Sequence, residues 1–394
     1  MERLQQSPTD PGFVQNPYPF YDKARKLGPF FLWDEYGLVC TPSAAAVSAI
    51  LRDRRFGREA PAERAPNPPQ HLAAFYAVEA HSMLELEPPR HTRLRSLVLR
   101  AFTSRRIAAL EPEIEALSHD LIDRFPAGRF DLLQHFAQPL PVIIIARLLG
   151  VPESMAPDLL RWSNAMVRMY MAGRTREMED AAVAATGEFV AFMRAYVDAR
   201  RSEPRDDLIT SLIQAEMDGD RLTIDELITT CILLLNAGHE ATVHTIGNGV
   251  KTLLELNAPP DWLGPGSVDA TVEEILRHDP PLHLFTRWCY EDVEVMGHMF
   301  HRGDQIGLLL AAANRDPGVW ETPSQFRPSR TEKPNLSFGA GLHFCVGAPL
   351  ARLELRTALP ILFSRLPRLR LADRPSYADV YHFHGLSRLD VTAT

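Results

Sequence analysis

The sequence lacks the features that would place the protein in a membrane or on nucleic acid. Its most apolar stretches, such as residues 141–146 and 231–235, fall far short of the roughly 18 residues that a membrane span needs. Basic residues are outnumbered, 42 against 50 acidic ones with a formal charge of -8, so we expect no nucleic-acid partner. No basic segment followed by an apolar one opens the chain, so we also expect no secretory signal and a cytoplasmic location.

Cysteine is scarce and widely spaced. The four cysteines are Cys40, Cys231, Cys289 and Cys345, and no two of them form a CxxC pair. This spacing argues against an iron–sulfur cluster, a zinc knuckle and a disulfide framework. Internal repeats, low-complexity tracts and domain-scale linkers are missing as well, and 45% hydrophobic with 23% charged residues is typical of a globular protein. We therefore expect one domain over residues 1–394.

Helical periodicity predominates, and strand patterns are confined to short segments. Residues 91–254 predict a series of helices interrupted by prolines, and a shorter helix is predicted near residues 18–26. Residues 30–33 and 38–41 flank a polar turn and predict a hairpin, while residues 293–296 and 306–310 are further strand candidates. The expected fold class is mainly α with a small β region.

The longest predicted helix has an unusual middle. It begins at Thr223, which can form a capping box with Glu226, and nothing in the sequence stops it until about Pro259. A helix of about 33 residues would be ~50 Å long, enough to run through a whole domain. Its middle carries Gly238 and Glu240, although glycine costs roughly 1 kcal/mol relative to alanine in a helix interior. Such a conflict with folding is typical of a functional site.

A glycine-rich loop surrounds Cys345. Residues 338–347 read FGAGLHFCVG, and Pro349 marks the first turn of a predicted final helix at residues 349–362. A cysteine in such a turn is often only a small buried hydrophobe. A thiolate near a helix N-terminus is, however, stabilised by unpaired amides, which favours metal ligation. The loop does not match a dinucleotide-binding fingerprint, because no strand precedes it and no third glycine completes the pattern.

This loop resembles the haem-ligand signature of the cytochrome P450 family, F-x-x-G-x-x-x-C-x-G, which Phe338, Gly341, Cys345 and Gly347 fill. The resemblance extends over essentially the whole chain. It implies a single-domain cytochrome P450 fold with a long central helix over haem b, and it implies Cys345 as the ligand of the iron.

Two further motifs resemble the family in the same order along the chain. Glu274 and Arg277 match its E-x-x-R helix, and Arg330 ends a match to its F-x-P-x-R segment. A Glu/Arg pair at i,i+3 is usually only a solvated helix face. The resemblance implies instead a buried ion network of these three residues, in which every charge must be paired.

The resemblance also implies which residues surround the haem. They are His91, Arg95, Ala237, Gly238, Arg287, Phe338, Gly339, His343 and Gly347. Among them, His91, Arg95, Arg287 and His343 would supply donors for the two haem propionates. Ala237 and Gly238 would leave a groove for oxygen above the iron.

The catalytic positions depart from the family at one place. Glu240 matches the acid of the family's proton relay, but the next residue, normally threonine, is Ala241. Thr242 is the remaining candidate catalytic residue, but it lies about 100° further round the helix, and its hydroxyl is more readily explained by a bond to a preceding carbonyl. A water or a substrate hydroxyl would then complete the relay. His239 and His244 are expected to face away from it.

By resemblance, the function is monooxygenation, the insertion of one atom of O2 into a small or medium-sized organic substrate. A thiolate ligand favours O–O cleavage. Electrons would come from a ferredoxin or flavodoxin with its reductase, because the chain has no reductase domain of its own. Acidic partners of this kind would meet a face with Arg100, Arg105, Arg106 and Arg352. The alternatives are a peroxide-driven peroxygenase, a non-oxygenating isomerase or dehydratase, and a non-catalytic haem sensor.

The substrate pocket is the least determined part of the site. By resemblance it would draw on residues 75–83, 166–171, 282–285 and 382–383, and on the long helix. The candidate contacts are Leu233, Asn236, His283, Leu284 and Phe383. With His382, the polar members Asn236 and His283 would suit a substrate that already carries oxygen.

Overall fold

The computed structural model consists mainly of helices, with short strands at its edges, so the expected fold class is confirmed. It describes residues 1–171, 173–217, 220–331, 334–381 and 383–393. The α-helices are α1 (Pro11–Gln15), α2 (Tyr18–Lys26), α3 (Ala44–Arg52), α4 (Ala73–Glu79), α5 (Arg90–Ala101), α6 (Ser104–Ala108), α7 (Glu111–Asp123), α8 (Pro139–Leu149), α9 (Ala156–Val167), α10 (Arg176–Ser202), α11 (Leu208–Gln214), α12 (Ile224–Glu255), α13 (Val268–His278), α14 (Leu310–Ala313) and α15 (Ala348–Arg365).

The strands are short. They are β1 (Arg3–Leu4), β2 (Phe31–Trp33), β3 (Leu38–Thr41), β4 (Phe56–Gly57), β5 (Arg129–Asp131), β6 (Glu216–Met217), β7 (Asp220–Arg221), β8 (Leu284–Cys289), β9 (Val293–Val295), β10 (His298–Phe300), β11 (Gln305–Leu309), β12 (Arg370–Leu371), β13 (Ser376–Tyr377), β14 (Leu386–Arg388) and β15 (Asp390–Thr392). Single helical turns connect several of these elements, among them Gln70–Leu72, Arg168–Tyr170 and Gly341–His343.

The predicted long helix is α12, and both of its ends follow from local chemistry. The Thr223 hydroxyl accepts from the Glu226 amide, and the Glu226 carboxylate accepts from the Thr223 amide, so the capping box is present. The helix ends at Glu255, earlier than the sequence predicted, because Asn257 adopts a left-handed conformation (φ 47°). The Ala258 amide then donates to the Leu253 carbonyl at 2.9 Å, which satisfies a terminal carbonyl without the proline.

Helix α12 lies at the centre of the main hydrophobic core. It packs against α8, α10, α13 and α15, and most of its side chains are buried. None of the helices in the described ranges combines the length and the apolar character that a membrane crossing requires.

The largest sheet has six strands in the order β1-β2-β3-β11-β8-β4. The predicted hairpin is its β2–β3 pair, in which Phe31 lies opposite Cys40. Strand β11 runs parallel to β3 and antiparallel to β8, and Gly307 lies against Cys40 and Thr286 in these pairings. The sheet therefore holds β8, which carries Leu284 and Arg287, in a fixed position beside the helical core.

Candidate active site

Cys345 lies in the loop between the turn Gly341–His343 and the first residue of α15. It is exposed, whereas Cys40, Cys231 and Cys289 are buried. Gly341 shapes this loop, because its φ is 67° and a Cβ there would collide with the Leu51 carbonyl. The Cys345 amide donates to the Phe338 carbonyl at 3.1 Å.

The Cys345 thiol is accessible and at the same time surrounded by protein. Burial raises its pKa, while hydrogen bonds from the Gly347 and Ala348 amides and the charges of Arg95 and Arg352 act in the opposite direction. The helix-terminal amides thus act on the sulfur as predicted, but burial outweighs them. A coordinated metal deprotonates a thiol outright, so the site suits a metal ligand.

Two donors near this loop lack the partners that burial normally demands. Arg287 is 3% exposed, and no carboxylate in the described ranges lies within salt-bridge distance of its guanidinium. Burial lowers the pKa of Arg287 to about 10. His91 is 1% exposed, and its Nδ1 has no hydrogen-bond partner among the described residues. A buried unpaired cation and an orphaned ring nitrogen fit the two propionates of haem.

The other two predicted propionate donors lie nearby but have protein partners. Arg95 donates to the Phe344 carbonyl at 2.7 Å. His343 Nε2 lies 2.8 Å from Glu87 Oε1, and the His343 ring is 4.3 Å from the His91 ring. Burial lowers the pKa of His343, with Arg287 and Arg58 adding to the effect of desolvation. The structure thus brings the predicted donors together around the cysteine loop.

Phe338 and Gly339 form the other wall of that loop. The Arg352 guanidinium lies 4.6 Å from the centre of the Phe338 ring. Gly339 has a φ of 68°, and a Cβ there would lie 3.4 Å from the Phe285 ring. Both residues therefore help to fix the loop in the place where the haem is expected.

One face of α12 is accessible over about two turns in its middle. Ala237 is exposed in the middle of an otherwise buried helix, and Leu233 and Ala241, each one turn away, are partly accessible. Gly238, the next residue, is partly accessible as well. A Cβ at Gly238 would lie 3.1 Å from Ile145 Cγ1, so this glycine also permits close packing of α8.

Glu240 lies between two histidines. His239 Nε2 is 3.5 Å and His244 Nε2 is 3.6 Å from its carboxylate, so both rings approach the acid, although His239 is 1% exposed and lies about 200° round the helix from Ala237. Burial acts to raise the pKa of Glu240, but the hydrogen bond with His244 and the charges of both histidines outweigh it, and the pKa lies below its usual value. Gly385 makes room for His244, since a Cβ there would overlap the ring.

Thr242 is buried, and in the described part of the chain its hydroxyl makes no bond to a preceding carbonyl. Such a bond is instead made by Thr245, which donates to the Ala241 carbonyl at 2.7 Å.

Sequence reasoning missed Glu354 on α15, which is fully buried with neither carboxylate oxygen hydrogen-bonded within the described ranges. Burial raises its pKa. The sequence signal that could have identified Glu354 is an acidic residue among the leucines of α15.

The three residues of the expected ion network are together. Arg277 donates to both oxygens of Glu274 at 2.7 and 2.8 Å, and Arg330 donates to Glu274 at 3.0 Å. Arg277 also donates to the carbonyls of Asn314 and Pro323. All three side chains are almost fully buried. The network fixes α13 to the segment that leads into the cysteine loop.

Several of the expected pocket residues contact other parts of the expected pocket, and one expected pocket residue does not face it. Asn236 Nδ2 lies 3.7 Å from Met166 Sδ, and Leu282 forms a β-bridge with Phe383. Leu284 lines an open cleft. His283 was predicted to face the substrate, and this is wrong, because the residue is fully buried. His382 lies outside the described residues.

His283 belongs to a polar cluster behind the expected pocket. Its Nδ1 is 2.8 Å from the Tyr21 hydroxyl, and the ring lies 4.4 Å from that of His384. Asp279 completes the cluster and accepts from Tyr18 at 2.7 Å. The sequence around residue 283 could not show that its side chain turns toward α2.

Comparison with known proteins agrees with this geometry. The family model Cytochrome P450 matches residues 20–257 and 267–369. The biotin biosynthesis cytochrome P450 of Bacillus subtilis is 34% identical over 391 residues, which is 96% of this chain and 97% of that protein. The 6-deoxyerythronolide B hydroxylase of Saccharopolyspora erythraea is 39% identical over 310 residues, which is 77% of this chain and 74% of that protein.

The solved structures show the same fold. A crystal structure of P450BioI in complex with an acyl carrier protein ligated to hexadec-9Z-enoic acid superposes with a TM-score of 0.90 at 33% identity, covering 98% of this chain and 99% of that one. The resemblance that the cysteine loop suggested is therefore confirmed. The chain belongs to the cytochrome P450 family and is a haem-thiolate monooxygenase.

Proposed function

We propose that Cys345 ligates haem b and that the enzyme inserts one oxygen atom from O2 into a small or medium-sized organic substrate. The observation that carries this proposal is the accessible thiol of Cys345 at the N-terminus of α15, together with two buried groups: Arg287, which has no carboxylate partner in the described ranges, and His91 Nδ1, which has no hydrogen-bond partner there. When bound, the haem supplies oxygen activation, and the protein supplies orientation, protons and a shaped pocket. Arg287 and His91 would hold its propionates.

The test is the absorption spectrum of the reduced protein with carbon monoxide. The unmodified protein should give the red-shifted Soret band of a thiolate ligand, and Cys345→Ala should lose it. Cys289→Ala is the matched control, because Cys289 is buried and donates to the Glu291 carbonyl at 2.9 Å. A thiolate spectrum that survives in Cys345→Ala would overturn the assignment.

Proton delivery is proposed to run through Glu240. The acid is partly accessible on the side of α12 next to Ala237 and Ala241, and two histidines adjust its pKa. Ala241 offers no hydroxyl, so a water or a hydroxyl of the substrate would complete the relay. Thr242 is proposed to stay outside it, since it is 4% exposed and lies about 100° round the helix from Ala241.

Electrons are proposed to come from a separate ferredoxin or flavodoxin with its reductase. Arg100 and Arg105 are exposed, and so are the apolar side chains of Leu99 and Phe344. Arg106 pairs with Asp206 and Arg352 pairs with Glu273, and their side chains stay 24% and 33% exposed. All four arginines are therefore proposed to contribute to the partner surface, and the cytoplasmic location stays a prediction.

Turnover with different electron sources separates the alternatives. A monooxygenase needs the reductase system, a peroxygenase needs only peroxide, and an isomerase or dehydratase needs neither. We expect turnover with a reductase system at a rate that falls as salt rises, because exposed charges are screened. Efficient turnover with peroxide alone would favour the peroxygenase.

A further inference from the structure

Three side chains of the kind that bind metal ions meet behind the expected pocket, where three separate segments converge. Asp279 follows the end of α13, His283 immediately precedes β8, and His384 lies in the loop between β13 and β14. They are 5%, 0% and 4% exposed, so all three are buried. One ligand atom of each lies within 4.8 Å of a ligand atom of the other two. Within the described ranges, no other three histidine, cysteine or acidic side chains come together in this way.

The spacing in this cluster fits one small cation. His384 Nε2 lies 3.6 Å from Asp279 Oδ1, which is too long for a hydrogen bond. Zinc ligands lie about 2.0–2.1 Å from the metal in a tetrahedral arrangement, so two of them are about 3.3 Å apart. The nitrogen and the oxygen are therefore already close to the separation that an ion between them would impose. The His283 ring is 4.4 Å from the His384 ring, within reach of the same ion.

His283 has a ring nitrogen without a partner. Its Nδ1 is 2.8 Å from the Tyr21 hydroxyl, whereas its Nε2 is buried and has no hydrogen-bond partner among the described residues. Tyr21 can accept from Nδ1, because the Tyr381 hydroxyl, 2.8 Å away, can take the proton of Tyr21. A hydrogen bond at one ring nitrogen fixes the tautomer and leaves the other nitrogen for a metal. Since buried polar atoms are normally paired, the orphaned Nε2 points to a ligand.

The charge states of the three side chains suit a metal as well. Burial lowers the pKa of His283, and burial lowers that of His384 to about 4, so both rings are neutral at pH 7. Asp279 accepts from Tyr18 at 2.7 Å and also from Tyr377, which favours its charged form. Neutral imidazole and carboxylate are the forms that bind zinc.

The neighbouring cations leave part of the Asp279 carboxylate available. Lys251 Nζ is 4.0 Å from Asp279 Oδ2 and 3.6 Å from Glu255, so two carboxylates share one ammonium. Arg315 lies over the Tyr18 ring, 3.4 Å from its centre, and acts on Asp279 through its charge. In the described part of the chain, Asp279 Oδ1 accepts one hydrogen bond, from Tyr18, so that a lone pair remains for an ion.

We propose that Asp279, His283 and His384 bind a divalent transition-metal ion, zinc above all, at a structural site separate from the haem. Imidazole and carboxylate are common zinc ligands, and here they come from three segments that are distant or flexibly connected in the sequence. The ion would join the end of α13 to the start of β8 and to the C-terminal loop. Leu284 and Phe383 directly follow or precede two of the ligands, so the ion would hold two walls of the expected substrate pocket in place.

The first measurement counts zinc in the haem-loaded enzyme. The protein is purified without a metal-affinity step, treated with a chelator, reloaded with zinc sulfate and desalted. Elemental mass spectrometry should find about one zinc per chain besides the haem iron, and X-ray absorption at the zinc edge should show nitrogen and oxygen neighbours at about 2.0–2.1 Å. Only a small fraction of an equivalent of zinc would overturn the proposal.

Three variants locate the ion. His283→Gln removes one ligand and should retain no zinc. Tyr21→Phe keeps all three ligands but removes the hydroxyl that orients His283, so zinc affinity should fall by ~10–100-fold while a full equivalent still binds at saturating zinc. His301→Gln is the matched control, because His301 lies 3.1 Å from Asp292 in a surface pair and should keep both the zinc content and the affinity.

The melting temperature gives a second readout. Zinc should raise the Tm of the chelator-treated enzyme but not that of His283→Gln, because an ion that binds only the folded state stabilises it. Equal zinc in His283→Gln and the unmodified enzyme would mean adventitious binding and would reject the site. If His283→Gln does not fold, Tyr21→Phe decides, and an unchanged zinc affinity there would reject the site. The zinc count is independent of the carbon monoxide spectrum, so this proposal and the proposed function can fail separately.

Discussion

Two glutamates, the buried Glu274 and the partly accessible Glu240, have opposite kinds of partners. Glu274 is 3% exposed and accepts hydrogen bonds from Arg277, Arg330 and the Arg327 amide, all at 3.0 Å or less. Glu240 is 18% exposed, and its nearest charged neighbours are His239 and His244 at 3.5 and 3.6 Å. One carboxylate is saturated by permanent cations, and the other is approached by rings that can gain or lose a proton.

This difference distinguishes a carboxylate that stabilises the fold, Glu274, from one that is proposed to take part in the reaction, Glu240. A buried ion pair stabilises only when every lone pair is satisfied, and a saturated carboxylate cannot exchange its proton readily. A carboxylate that must transfer protons needs partners that are weak or titratable. The number and kind of partners therefore predict which acid holds the fold and which one serves the reaction.

The largest expected effect is a loss of stability when the ion network around Glu274 is broken. Arg277→Met would leave Glu274 buried with too few donors and would free the carbonyls that Arg277 now binds, costing about 3–5 kcal/mol of unfolding free energy. Urea unfolding measures it. Arg327→Met is the control, because its side chain meets Glu321 at 3.4 Å on the surface and should cost less than about 1 kcal/mol. A loss for Arg277→Met as small as that of the control would contradict the structural role.

The second effect concerns activity rather than stability. Glu240→Gln keeps the size of the side chain but removes the proton donor, so turnover should fall roughly tenfold or more, within the range of ~10²–10⁴ for general acid–base catalysis. The urea midpoint should change little, because few bonds are lost. Turnover within twofold of the unmodified enzyme would exclude Glu240 from proton delivery.

A third, smaller effect should appear in the pH dependence. The hydrogen bond with His244 is the first cause that lowers the pKa of Glu240, so His244→Phe should raise that pKa and shift the corresponding inflection of turnover to higher pH. The ionised acid stabilises the fold above its ordinary pKa, and this contribution is lost as pH falls through the lowered value. His239→Phe should shift the inflection less, since His239 acts on Glu240 through charge and already bonds to the Leu235 carbonyl at 2.6 Å. An unmoved inflection in His244→Phe would show that another group sets it.

The sequence predicted the fold and the cysteine loop better than it predicted the side chains near α12 and the expected substrate pocket, for physical reasons. The capping box at Thr223, the hairpin and the glycine-rich loop each depend on local chemistry that neighbouring residues specify. His283 and His239 depend instead on which way a side chain turns against a distant element, the first toward Tyr21 and the second beside Glu240. The Schellman-type end at Asn257 was also missed, because proline is the more visible stop signal.

The smallest expected effect, and the most informative, is that of Ala241→Thr. Ala241 is partly accessible on the same open face as Ala237, so a threonine hydroxyl there would reach the space that the substrate is expected to enter. If a substrate hydroxyl completes the relay from Glu240, the added group competes with it, and product formed per NADH consumed should stay the same or fall by a few-fold for the true substrate. With a poor substrate that lacks such a hydroxyl, the same change should improve coupling, because the protein would then supply the missing donor. Ala241→Val adds similar volume without a hydroxyl and should improve neither substrate, which separates hydrogen bonding from steric effects. A large improvement for the true substrate with Ala241→Thr would mean that the relay is simply incomplete, and the substrate-assisted relay would have to be abandoned.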